Sequence, residues 1–232
     1  MKLGVTTTIV ERAFKWLGGA LFVAAVAWTA LWYAVVLGQS RSWRGWRPLA
    51  YDALLFSVFA THHSLFARDR LKAALARLLP EPLLRSVYVW IASALLILAS
   101  VFWRPVGGEV YRHTGATCWI HAAVQLIGLW MIARSVGAID PLELAGIRAA
   151  TPAGPQTRGP YGVVRHPLYL GWMLIAFGPA QLTGDRLAFA AITSLYLVMA
   201  IPWEERALER AFGAQYATYK QRVRWRLVPY VF

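Results

Sequence analysis

Cysteine is almost missing from this chain. Its 232 residues contain one, Cys118, so no intramolecular disulfide and no cysteine-built metal site can form. Acidic residues are scarce too, 11 against 24 Lys and Arg, which leaves a net charge of +13. Charge of either sign is thin at 15% of residues, whereas hydrophobic residues reach 58%. That balance excludes a soluble domain of ordinary composition and implies an integral membrane protein. The basic residues fall between apolar runs instead of lining one soluble face, which argues against nucleic acid as a partner and for membrane lipids. No cleavable leader is expected. Lys2, Arg12 and Lys15 precede an apolar run that is too long for a signal h-region and lacks a cleavage site. No internal repeat or low-complexity segment stands out.

What is there is a succession of apolar stretches. Phe14 to Leu37, Leu49 to Ala67, Ser86 to Phe102 and Cys118 to Ile139 lie near the roughly 20 residues needed to cross about 30 Å of hydrocarbon. After a longer polar link come Leu168 to Leu182 and Leu187 to Pro202, separated by Thr183, Gly184, Asp185 and Arg186. Both arms are short, and together they read as a helical hairpin. The expected architecture is all-α, a polytopic transmembrane bundle of six spans, with five as the fallback. From Trp203 the pattern becomes amphipathic: Leu208, Phe212, Tyr216, Tyr219 and Val223 share one helix face, with Gly213 as a point of interruption. Beyond it Lys220, Arg222, Arg224 and Arg226 alternate with Val223, Trp225 and Leu227, a composition suited to an anionic headgroup surface. With the N-terminus inside, eighteen of the 24 Lys and Arg fall on the inner side. The positive-inside rule then puts both termini in the cytoplasm, in a bacterial-type inner (plasma) membrane.

Polar chemistry, special backbone residues and a helix start coincide at Arg158 to Gly171, RGPYGVVRHPLYLG. Gly159, Pro160 and Gly162 impose a tight backbone that a ligand could approach closely. Pro167 suits the first helical turn, where its missing N–H would have had no partner, so the helix starts at or near His166. Arg165 and His166 stand at that end, where the helix dipole favours an anionic group such as a carboxylate. Glu204 and Glu205 follow Pro202 at the membrane boundary. They are either ligand-facing carboxylates or first-turn acids that favour a helix N-terminus.

RHPLYLG, followed about one hairpin later by EERALERAFGAQYATYKQRV, resembles the signature of integral-membrane S-adenosylmethionine-dependent methyltransferases, the group of isoprenylcysteine carboxyl methyltransferases, phospholipid methyltransferases and methanethiol S-methyltransferases. The two motifs cover about Thr157 to Val223. HHSLFARDRLK, LLRSVYVW and IDPLELAGIR are most similar to the thiol-methylating branch and extend the likeness over most of the chain. The resemblance implies S-adenosyl-L-methionine as cofactor, held by Tyr161, by His166, Pro167, Leu168 and Tyr169, and by Glu204 with Glu205 beside it. It implies a single domain in which 1–150 form the substrate side and 151–232 the cofactor-binding catalytic region. Methyl transfer from a sulfonium needs alignment more than acid–base machinery, with reacting atoms about 3 to 3.5 Å apart.

Arg165 and His166 are candidates for orienting substrate or a carboxylate, and His166 could equally be a helix-start histidine satisfied by backbone. The isoprenylcysteine enzymes carry an arginine four residues before the cofactor glutamate, where this chain has Ala200, which weakens carboxyl methylation. His62 and His63 lie near the inner end of the second span. They could take a thiol's proton, or could form an interhelical hydrogen bond. His113 and His121 lie near the outer face, so no histidine-box metal site is expected. The expected reaction is transfer to a small thiol such as methanethiol, by in-line displacement at the cytoplasmic mouth. The alternatives are a phospholipid head group or isoprenylcysteine carboxylate as acceptor, or a non-catalytic protein resembling the denitrification-associated membrane proteins. No obligate protein partner is implied.

Overall fold

Long runs of Ala, Leu, Val and Trp, punctuated by Gly and Pro only near their ends, set the helix boundaries. The computed structural model describes residues 2–66, 68–148 and 154–232, and the helices are α1 (Lys2–Val35), α2 (Trp46–Phe66), α3 (Asp69–Leu75), α4 (Glu81–Val101), α5 (Thr117–Ile139), α6 (Pro141–Leu144), α7 (Pro167–Phe177), α8 (Gly184–Phe212) and α9 (Ala214–Arg222). Two short strands, β1 (Glu109–Arg112) and β2 (Gln181–Thr183), pair antiparallel. The expected all-α membrane bundle is what forms. A helix falls within each of the six expected segments, and among the described residues four helices are long and apolar enough to cross a membrane, with α7 a shorter apolar one. In α2, Arg47, Asp52, His62 and His63 dilute the apolar character. Ala67, the expected end of the second span, lies outside the described residues, as does part of the polar link.

Burial runs opposite to that of a soluble protein. Leu54, Trp119, Ile120, Leu126 and Leu195 are exposed, while Asp52, Ser86, Ser93, Ser135 and Thr193 are buried. Apolar residues that face lipid, with small polar groups between helices, are the membrane arrangement.

The chain divides into two compact units. The first gathers α1, α2, α3, α4 and α6. Here Phe14 stacks on Trp90 with centroids 5.6 Å apart, and Trp90 Nε1 donates to the Phe14 carbonyl. Trp28 Nε1 donates to Ser100 Oγ at 2.6 Å, and Ser86 Oγ to the Gly146 carbonyl at 2.6 Å. Buried Asp52 accepts the Arg104 amide at 2.9 Å.

The second unit gathers residues 37–46, β1, α5, α7, β2, α8 and α9. Its hairpin differs from expectation in four ways. Gly178 and Pro179 stop α7 at Phe177, five residues before Leu182, because a proline so placed cannot continue a helix. Residues 181–183 become β2 and pair with β1. Thr183 to Arg186 is not a loop: Thr183 Oγ1 accepts the Arg186 amide at 3.1 Å as the N-cap of α8, with Asp185 in the first turn. Nor does α8 end at Pro202. It runs on to Phe212, giving up the bond that residue 202 would have made to the Val198 carbonyl. The amphipathic helix expected from Trp203 is therefore the end of α8 plus α9, broken at Gly213, whose φ of 49° favours glycine. The predicted face still assembles across the break, with Tyr216, Tyr219 and Val223 packed against Leu208 and Phe212.

Asp185 fastens the far end of α8. It is fully buried, accepts the Val106 amide at 2.6 Å and lies 3.4 Å from Arg41 Nη1. Asp185→Ala leaves that amide buried and unpaired, so the second unit is expected to lose about 2–3 kcal/mol. Thermal unfolding in detergent micelles reads this out, and an unchanged midpoint would refute it.

Candidate active site

The glycine-proline stretch before α7 forms one 3₁₀ turn, Gly159–Gly162. Val164, Arg165 and His166 follow it into the interior. His166 is the N-cap residue and Pro167 the first helical residue, as expected for a proline whose N–H has no helical partner. The backbone here is held by the chain's tail: the Arg165 amide donates to the Trp225 carbonyl and the His166 amide to the Arg226 carbonyl, both at 2.9 Å. The helix-start amides at 165 and 166 are thus spent on the protein, and the anionic ligand expected there would have to use other donors.

A buried ion-pair network forms beside them. Glu205, 3% exposed, accepts from Arg165 Nε at 2.7 Å and lies 3.4 Å from both His166 Nε2 and Arg226 Nε. The Arg165 Nη1 group donates to the Val223 and Arg224 carbonyls at 2.8 and 2.7 Å. Among the described residues Glu205 faces Arg165, His166 and Arg226, and its charge balances the buried guanidinium.

Glu204, one residue earlier on α8, faces the other way. Its side chain is 44% exposed; Oε2 accepts from the Tyr169 hydroxyl at 2.6 Å and lies 3.6 Å from His166 Nδ1, while Oε1 has no partner among the described residues. Tyr169 stacks on His166 with centroids 5.4 Å apart and 18° between planes. One turn of α7 and one turn of α8 thus present an imidazole, a phenol and a partly open carboxylate together.

Tyrosines close the surroundings. Burial pushes the Tyr161 phenol up to about 12 against the lowering effect of its bond with Ser135, so it is a neutral donor across the working pH range. The Tyr161 carbonyl accepts from Tyr219 Oη at 2.8 Å. Tyr216 is 1% exposed, and its hydroxyl has no hydrogen-bond partner among the described residues. Burial first, then the Glu205 charge, pushes that phenol above its ordinary value.

Of the residues expected from sequence, Arg165, His166, Tyr169, Glu204 and Glu205 meet directly, and Tyr161 joins them through Tyr219 and the α9 face. Pro167 and Leu168 sit between His166 and Tyr169 in the first turn of α7. His62 and His63 belong to the first unit. There Tyr88 hydrogen-bonds His63 Nδ1 and stacks on His62 at 5.6 Å and 7°. Neither His62 nitrogen has a partner among the described residues. Sequence reasoning missed Tyr216, Ser135, Arg226 and the tail carbonyls. The apolar face at 208 to 223 and the alternation at 222 to 227 marked Tyr216 and Arg226 but not their use.

No family model matches the chain, and no solved structure matches it at a significant level. Curated relatives do. Methanethiol S-methyltransferase 2 of Bradyrhizobium diazoefficiens is 38% identical over 191 residues, covering 78% of this chain and 73% of the relative. The methanethiol S-methyltransferase of Crocosphaera subtropica is 32% identical over 79% of this chain and 75% of its own length. Protein-S-isoprenylcysteine O-methyltransferase B of Arabidopsis thaliana is 36% identical over 70 residues, 29% of this chain and 36% of that protein.

Proposed function

Because the chain belongs to the methanethiol S-methyltransferase family and is an integral membrane methyltransferase, we propose that it moves a methyl group from S-adenosyl-L-methionine to a small thiol such as methanethiol. The observation that carries the donor site is the Glu204 carboxylate, which stands outside the ion-pair network with one oxygen open beside the stacked His166 and Tyr169. These groups suit a donor with ribose hydroxyls, an amino group and a sulfonium charge: the carboxylate accepts from hydroxyls or the amino group, and aromatic faces favour a cation. The buried Tyr216 hydroxyl is a further donor with no acceptor among the described residues.

When bound, S-adenosyl-L-methionine supplies an electrophilic methyl carbon on a positively charged sulfur. The protein's part is to position. Glu205 neutralises Arg165 and keeps the His166 ring in register with Tyr169, and the Tyr169 hydroxyl in turn fixes the Glu204 carboxylate. Tyr161 stays protonated. Arginine and lysine asymmetry puts the Arg158 to Gly171 loop on the cytoplasmic side, where a soluble donor is available.

The deciding experiment incubates membranes containing the protein with labelled donor and separate thiol, phospholipid and prenylcysteine acceptors. Label should appear in a volatile thioether from the thiol alone, and label in lipid or prenylcysteine instead would overturn the assignment. Glu204→Ala is expected to weaken S-adenosylhomocysteine binding roughly 10- to 100-fold, as for loss of a charge-assisted hydrogen bond. Calorimetry on the purified protein measures it, and unchanged affinity would remove Glu204 from the donor site.

A further inference from the structure

The basic tail presents two faces. Val223 and Leu227 turn inward, and Arg226 reaches Glu205. Arg222 and Arg224 instead line a surface groove of about 530 Å³, together with Gly162, Val163, Trp225 and Tyr230. No acidic residue lines it. Arg222 makes one weak bond, to the Thr157 carbonyl at 3.4 Å, and the Arg224 guanidinium has no partner among the described residues. Apolar groups edge the groove: Trp225 packs on Tyr230 at 5.2 Å, and Tyr230 and Val231 are 87% and 78% exposed. Tyr230 also holds a φ of 65°, a left-handed conformation that a bulky residue keeps only when its surroundings demand it.

Two guanidiniums with no acidic partner among the described residues, beside the Trp–Tyr pair at the groove's edge, match a phosphate group with apolar chains next to it. We propose that this groove binds the headgroup of an anionic phospholipid, and that the bound lipid holds the donor site in its competent form. The second half rests on the donor-site reading above. The coupling is covalent continuity, since the groove wall is the segment whose carbonyls hold the site. Val223 and Arg224 accept from the Arg165 guanidinium, and Trp225 and Arg226 accept from the Arg165 and His166 amides. A tail seated on the membrane keeps those four acceptors in place.

The test reconstitutes the full chain in nanodiscs of phosphatidylcholine alone and of phosphatidylcholine mixed with phosphatidylglycerol. Native mass spectrometry follows retained phosphatidylglycerol, and calorimetry follows S-adenosylhomocysteine affinity. The unaltered protein should retain phosphatidylglycerol and bind S-adenosylhomocysteine severalfold more tightly in the mixed discs. R222Q/R224Q should retain about tenfold less of that lipid, from loss of two basic residues at the headgroup level, whereas R222K/R224K should recover most of it. Equal retention by the Gln variant, or displacement of the lipid by inorganic phosphate at similar concentration, would overturn the lipid site. Equal affinity for S-adenosylhomocysteine in both discs would overturn the coupling. No binding of S-adenosylhomocysteine in either disc would defeat the donor-site reading and the coupling with it, while lipid retention would still judge the groove.

Discussion

Glu205→Ala is expected to destabilise the second unit strongly, while Glu204→Ala, one residue away, leaves stability unchanged and weakens S-adenosylhomocysteine binding. The difference follows from their surroundings. Glu205 is the counter-charge of a guanidinium that is itself 8% exposed, and it also faces His166 and Arg226. Removing one partner of a buried pair leaves the other uncompensated, at a cost of about 3–5 kcal/mol. A domain stable by only about 5–15 kcal/mol feels such a loss at once. Glu204 is 44% exposed and, among the described residues, meets Tyr169 and, at 3.6 Å, His166, so its removal costs the fold little. Thermal unfolding and S-adenosylhomocysteine titration of both variants in the same detergent separate the roles. If Glu205→Ala melts with the unaltered protein, the buried network is not what organises the site.

Gly171→Ala is the second large effect, and its sign runs against helix propensity. Alanine in an exposed helix interior is favoured over glycine by about 1 kcal/mol. At 171 a methyl group would stand 2.7 Å from the Gly128 carbonyl oxygen and 2.9 Å from Ile132 Cγ1. The reciprocal holds for a methyl at 128, which would meet the Gly171 carbonyl at 2.7 Å. The two glycines are where the α5 and α7 backbones touch, and a carbonyl cannot yield as a side chain does. Gly171→Ala should therefore destabilise by about 1–3 kcal/mol through overpacking, and Gly171→Leu by more. Forcing α7 away from α5 also parts Tyr169 from the Ser135–Tyr161 side, so donor affinity should fall with stability. A stabilised Gly171→Ala would show that the helices do not cross so closely.

The sequence made the apolar segments and the paired motifs readable because both are local. A span announces itself by length, and Arg165 to Gly171 by proline and glycine at fixed offsets. What stayed hidden was set by partners distant in the chain. Nothing near Leu182 says that residues 181–183 will pair with 109–112, because a three-residue strand carries no period of its own. Pro202 reads as a helix end, yet α8 passes through it, as helices do where packing compensates for one lost bond. The acid pair is legible in the chain, but the different surroundings of Glu204 and Glu205 depend on which way each side chain leaves α8. That becomes visible only once Arg165 and Arg226 are brought to one of them.

The bonds from the tail to Arg165 and His166 also impose an order on biosynthesis. Chains emerge from the ribosome N-terminus first, so the RHPLYLG turn is in the bilayer well before the carbonyls at 223 to 226 exist to receive its amides and guanidinium. Until residues 223–226 arrive, a nascent chain can offer Arg165 the Glu205 carboxylate but not the three tail carbonyls it donates to. Loss of the 223–226 segment at any stage would leave that guanidinium and the amides of Arg165 and His166 without the four carbonyls they donate to.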